Sequence, residues 1–172
     1  MNIMFLLGFA VGILLVAAAF VLVRKMTKSK ETCKYDERQE LLRGKGYKYG
    51  FFCLMIYDFL AGALYIDGYP KWCDELVLNI FGISIALLVF VSYCIWKDAY
   101  LALSEKPRQV CAFLLIAIIV NGAVGIGNFV SGEATTGGSL NFRAVNFILA
   151  VVLLIVMIEL LVKIWLSKKE ME

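Results

Sequence analysis

Two acidic side chains stand inside apolar stretches, Asp58 in FFCLMIYDFLAGALYI and Glu159 in VVLLIVMIELLVKIW. They are the residues with the most chemistry to offer. A charged carboxylate near the centre of a bilayer costs at least about 2.5–3.5 kcal/mol on insertion scales, so each is expected to face protein or water and to find a partner. Lys163 follows Glu159 by four residues, and Asn121 is a polar side chain in a third apolar stretch. Two readings follow. In one, the acids pair with Lys163, Asn121 or a tyrosine and act as a polar clamp between helices. In the other, Asp58, Glu159, Asn121 and Lys163 make a site for a proton or a cation, because low dielectric favours a carboxyl group that carries one over a bare anion. Measured from the basic residues Lys48 and Lys168, the acids lie about 15 and 13 Å along their helices, which puts them at matching depth.

The second constellation is basic. The segment DERQELLRGKGYKYG carries Arg38, Arg43, Lys45 and Lys48, with Tyr47 and Tyr49 among them. Cations and amphipathic rings at headgroup depth meet anionic lipid, and Arg38 and Arg43 are also placed to recognise an anionic ligand or a protein partner. No basic surface stands clear of the apolar segments, so nucleic acid is not an expected partner. Cys53, Cys94 and Cys111 fall near one boundary on three different segments, but there is no CxxC spacing and no histidine in the chain. They read as small apolar residues, and no metal or cofactor is expected. Without histidine the commonest general base is missing, and no Ser or Cys has an evident activating partner, so the chain does not read as an enzyme.

The elements that must position these residues are membrane helices. Of the 172 residues 62% are hydrophobic and 18% charged, with a mean hydropathy of +0.83, a balance that points to lipid rather than water as the solvent. Apolar segments at about 3–23, 50–66, 76–96, 110–131 and 144–165 approach or exceed the length that about 30 Å of hydrocarbon requires. The expected fold is an all-α integral membrane bundle of five spans in a single membrane domain, 1–172. Of the 17 basic residues, 15 fall in the 24–49 segment, the 97–108 loop and the end of the last span, leaving Lys71 and Arg143 opposite. By the positive-inside rule the amino end is outside and the carboxyl end in the cytosol. The first span lacks a positive n-region and is followed at once by charge, so it reads as a retained anchor rather than a secretion signal.

Local signals fill in the elements. Asp36 with Gln39 three residues on resembles an N-cap pair, and no proline interrupts the chain from there to Ile66, so one long helix is expected, wet at its start and embedded at its end. Glu40 and Gln39 are spaced to pair with Arg43. Asp74 and Glu75 open the third span and Pro107 the fourth, where Asn121, Gly125, Asn128 and Gly132 share a close-packing face. Gly8 and Gly12 provide a similar small-residue pattern in the first span. The loop KDAYLALSEKPRQ is expected to form an interfacial helical turn, and SGEATTGGSLNF a flexible connector.

DERQELLRGKGYKYGFF and WKDAYLALSEKPRQ together resemble a group of small multi-span membrane proteins of low-GC Gram-positive bacteria to which no activity is assigned. The resemblance covers most of residues 34–115. It implies a bacterial plasma membrane location and suggests that the two motifs meet in space. The expected function is an oligomeric transporter or channel with a buried carboxylate site. The alternative is a nontransporting adaptor or sensor that docks a cytosolic partner through its basic loops.

Overall fold

The computed structural model describes residues 35–66, 68, 71–103 and 105–169. The expected first span, with Gly8 and Gly12, and the linker with Cys33 lie outside the described residues. Helix α1, Glu37–Ile66, runs unbroken for 30 residues. Its start is a reciprocal cap: the Gln39 backbone N–H donates to the Asp36 carboxylate at 2.6 Å, and the Asp36 backbone N–H donates to the Gln39 side-chain oxygen at 3.3 Å. This satisfies two backbone donors that a helix start would leave open.

Helix α2, Glu75–Trp96, is capped by Asp74, whose carboxylate accepts from the Val77 N–H at 2.8 Å. Helix α3, Pro107–Val130, opens with proline at its first position, where the missing N–H costs nothing. A 3-10 turn, Phe142–Ala144, leads into helix α4, Val145–Lys169. Three helical stretches among the described residues are long and apolar enough to cross a membrane: α2, α3 and Phe142–Lys169. Their outward faces are apolar, with Phe113 at 73% and Val130 at 83% exposure, while small residues such as Ala86, Ala150 and Ser84 are buried. That is the reverse of a water-soluble bundle and suits helices solvated by lipid.

Glycines set the packing. Against α2, a Cβ at Gly46 would stand 3.2 Å from the Cys94 sulfur, and one at Gly50 3.0 Å from the Ala86 carbonyl oxygen. Further along, Gly82 makes room for the Tyr57 ring, whose hydroxyl donates to the Leu78 carbonyl at 2.6 Å. Partner numbers fall on α2 as they rise on α1, so the pair is antiparallel. Helices α3 and α4 are antiparallel as well: Gly125 lies against the backbone of Phe147, and Gly122 beside Ala150. Ile95, Leu114, Val156 and Leu160 join the two pairs in a common core, with α2 and α4 parallel.

The connector after α3 is ordered, contrary to expectation. Strands β1, Thr135–Thr136, and β2, Ser139–Leu140, pair antiparallel around Gly137 and Gly138, both at positive φ, which is the backbone a two-residue hairpin turn demands. The hairpin is tied to the turn before α2, because Leu140 donates to the Trp72 carbonyl at 2.8 Å and accepts from the Asp74 N–H at 2.9 Å. Asn141 braces it by donating to the Glu133 carbonyl and the Thr136 hydroxyl, and Glu133 pairs with Arg143. Cys73 is buried beneath, and burial pushes its thiol above the ordinary range, with Asp74 adding to the effect.

Two measurements check this packing. Gly125→Ala is expected to lower the thermal unfolding midpoint in detergent by the equivalent of about 1–3 kcal/mol, since the Phe147 backbone cannot rotate aside, whereas Gly127→Ala, with open space around it, should be neutral or slightly stabilising. For Cys73 the raised pKa means less thiolate below it than an ordinary thiol carries. Maleimide labelling at pH 8 should therefore be slower than for an exposed peptide thiol, and should keep rising with pH above 9.0, where the reference thiol levels off.

Candidate functional site

Parallel packing of α2 and α4 brings Ser92 to Glu159. The serine hydroxyl donates to Glu159 Oε1 at 3.0 Å, while Oε2 is buried and has no hydrogen-bond partner among the described residues. Half of this carboxyl group is therefore unsatisfied. A bound proton or a small cation would complete it. Sequence reasoning misses Ser92, one of two serines in the apolar stretch ISIALLVFVSYCIW, although hydroxyls there are a signal worth reading, because such groups bond between helices in lipid.

The other expected members of the site are elsewhere. Lys163 turns away from Glu159 and pairs with Asp98 at 3.0 Å, across from α4 to the end of α2. Asn121 donates to the Ala117 carbonyl at 2.9 Å, one turn back in its own helix. Asp58 is exposed and lies in a shallow cleft of about 340 Å³ with Ala61, Gly62, Glu75 and Asn79. Nor do the two acids share a depth. Asp58 follows Tyr57, which bonds at Leu78, and Glu159 bonds at Ser92, so their levels differ by fourteen residues of α2, about 20 Å. The expectation of matching depth took Lys48 as a boundary marker. Lys48 lies between Gly46 and Gly50, which pack against Cys94 and Ala86, so it stands further along the bundle than Lys168 does.

At the basic end, α1 holds the loop between α2 and α3. Gln39 is buried, and its amide nitrogen donates to the Asp98 and Leu101 carbonyls at 2.9 and 3.1 Å. Arg43 donates to the Ala99 and Tyr100 carbonyls at 3.2 and 3.5 Å, with its guanidinium 4.2 Å from the Tyr35 ring centroid and 5.7 Å from that of Phe90. The DERQ and DAY segments thus meet in space. Arg43 is engaged by the loop carbonyls and the two rings, and it makes no ion pair with Glu40. Arg38, Lys45 and Lys48 remain exposed.

The loop is a folded cap rather than a helical turn. Asp98, at φ 57°, ends α2 in a Schellman motif: its N–H donates to the Ile95 carbonyl at 3.2 Å and that of Ala99 to the Cys94 carbonyl at 2.8 Å. The Glu105 carboxylate then accepts from the Ala102 N–H at 3.0 Å. Burial pushes the Tyr100 phenol above its ordinary value, Glu105 and Tyr35 add to this, and Arg43 opposes it. No group of three His, Cys, Asp or Glu side chains placed to hold a metal occurs among the described residues. Cys94 is buried against Gly46, and Cys111 packs beside the core of Ile95 and Leu114.

Comparison of the chain with family models, with curated proteins and with solved structures gives no match.

The clasp has a measurable consequence. Gln39→Leu removes the partner of two loop carbonyls and of the Asp36 N–H, and stability should fall by about 1–3 kcal/mol. Gln39→Glu keeps the cap but turns a carboxylate oxygen toward the Asp98 and Leu101 carbonyls, so it should fall too. Thermal unfolding in detergent, with proteolysis of the 97–103 loop as a second readout, checks both; wild-type behaviour in the two variants would refute the role.

Proposed function

We propose that this chain is a small multi-pass protein of a bacterial plasma membrane that binds and passes a proton or a monovalent cation by way of Glu159. The observation that carries this reading is the Glu159 carboxyl group itself. One oxygen is held by Ser92 and the other is enclosed without a partner. An anion so poorly supplied with donors is costly in a low-dielectric setting, and a group that binds and releases a compensating positive charge is the economical use of it. The site is a carboxyl–hydroxyl pair between α2 and α4, and Asp58, Asn121 and Lys163 are not part of it.

The proposed topology has five spans, amino end outside and carboxyl end in the cytosol. It draws support from the bundle, which gathers Arg38, Lys45, Lys97, Lys106, Arg108, Lys168 and Lys169 at one end and leaves Lys71 and Arg143 at the other. An oligomer is part of the same proposal. Asp58 is exposed beside Phe59, itself 79% exposed, and an acid at that level needs protein or water over it rather than acyl chains.

A second reading keeps the chain as a membrane adaptor. It is favoured by the exposed face of α1 where Glu37, Leu41, Lys45 and Lys48 line an open cleft of about 650 Å³. Flux separates the two. Purified protein in liposomes should dissipate an imposed proton or cation gradient. Glu159→Gln should bring flux to the level of empty liposomes, Ser92→Ala should slow it, and Asp58→Asn should leave the Glu159 step working. No flux from the wild type, together with a copurifying protein lost on Lys45→Glu, would instead establish the adaptor.

A further inference from the structure

A cleft of about 360 Å³ opens at the basic end between the α2–α3 loop and the last turns of α4. Its inner wall is apolar, made by Ile95, Leu101, Leu160 and Ile164, and its outer rim carries Lys163, Ser167 and Lys168. On α4 these rim and wall residues recur every three or four positions, so a single helix face presents both hydrocarbon and cation. The charges at the rim are not balanced among the described residues. Lys163 is matched by Asp98, but Lys168 is exposed and makes no ion pair among the described residues. Pro107 forms part of the same wall, and the α3 start behind it has no side-chain cap, since Lys106 contributes none. The positive end of that helix dipole adds to the field of the lysines.

The level of the cleft matches a membrane surface. Trp96 and Trp165, both exposed, stand at this end of the bundle, and the Lys169 ammonium lies 5.7 Å from the Trp165 ring centroid. Exposed tryptophans beside lysines mark headgroup depth. A ligand that fits must therefore bring an anion to the rim and an aliphatic chain to the wall.

We propose that this cleft is a binding site for an anionic glycerophospholipid, its phosphate held by Lys168, the Ser167 hydroxyl and the α3 start, and its upper acyl chain against Leu160 and Ile164. The net positive charge of the rim, two lysines against one aspartate, matches a singly charged phosphodiester. The proposal rests on the membrane reading above but not on transport at Glu159.

The test is lipid retention by the full chain in detergent, read by native mass spectrometry after titration with phosphatidylglycerol or with phosphatidylcholine of the same acyl chains. Phosphatidylglycerol should be retained in preference. Lys168→Glu should weaken its retention at least about fivefold, the loss expected for one basic contact with an anionic headgroup, and Lys71→Glu at the opposite end of the bundle should leave it unchanged. Ser167→Trp, which fills the cleft without removing a charge, should abolish retention, and both variants should keep the wild-type unfolding midpoint, since their positions are at the end of α4. Equal retention of the two lipids, equal effects of Lys168→Glu and Lys71→Glu, or displacement of the lipid by millimolar inorganic phosphate would each overturn the proposal, the last by marking a simple anion site. A chain that stays soluble when detergent is withdrawn would instead remove the membrane reading itself.

Discussion

The loop that joins α2 to α3 turns its carbonyls inward, toward a region that little water reaches, and those carbonyls have to be bonded. Gln39 and Arg43 meet that demand, and in doing so they fix where α1 lies. Four loop carbonyls, at Asp98, Ala99, Tyr100 and Leu101, accept from these two side chains. With α1 held there, its glycines fall opposite the bulk of α2. Gly46 meets Phe90 and Cys94, Gly50 meets Ala86, and Tyr57 enters the space over Gly82. A shift of one residue would take Gly46 and Gly50 off the points of closest approach and bring bulkier side chains to them. The polar clasp thus specifies the register, and the glycine contacts, which depend on close approach, stabilise it.

Gln39 can do this because its amide has two ends. Its oxygen accepts from the Asp36 N–H within the helix cap, and its nitrogen is left with two hydrogens for the loop. A glutamate would serve the cap equally well but would bring no donor to the carbonyls. Arg43 reaches two consecutive carbonyls from one terminal nitrogen while its planar face lies over Tyr35, a stacking that a lysine could not supply.

Helix existence and most helix boundaries were legible in the sequence because each carries a local signal. Asp36 with Gln39, Asp74 before Glu75, and Pro107 are chemical marks that do not depend on tertiary context. The long run of α1 through Asp58 was legible too, since nothing in it breaks a helix. The contents of the site were harder to read, because partnership between helices depends on a register that periodicity leaves open. The i, i+4 spacing of Glu159 and Lys163 suggested a pair, yet Lys163 reaches Asp98 instead. Depth failed for Asp58 because a lysine was used as a ruler for the membrane surface, and Lys48 lies opposite the body of α2. The hairpin was missed by treating glycines as a sign of disorder. Two adjacent glycines between Thr-Thr and Ser-Leu are also what a tight two-residue turn requires, and the docking of Leu140 on Trp72 and Asp74 shows that the second meaning applies.

Asp98 serves three helices at once. A helix ending in a left-handed residue ordinarily uses glycine there, and aspartate is tolerated at a modest cost because its short side chain is polar and unbranched at Cβ. Glycine would close the Schellman turn as well, but it would leave Lys163 without its carboxylate. With aspartate, one residue ends α2, offers its carbonyl to Gln39 on α1 and its carboxylate to Lys163 on α4. Three helices are thereby tied at one point, and Lys163 is kept from Glu159, one turn away on the same helix. Had Lys163 turned back to Glu159, the carboxyl group would be a closed ion pair. Because Asp98 holds the lysine, Glu159 keeps a single hydroxyl partner on one oxygen and, among the described residues, none on the other.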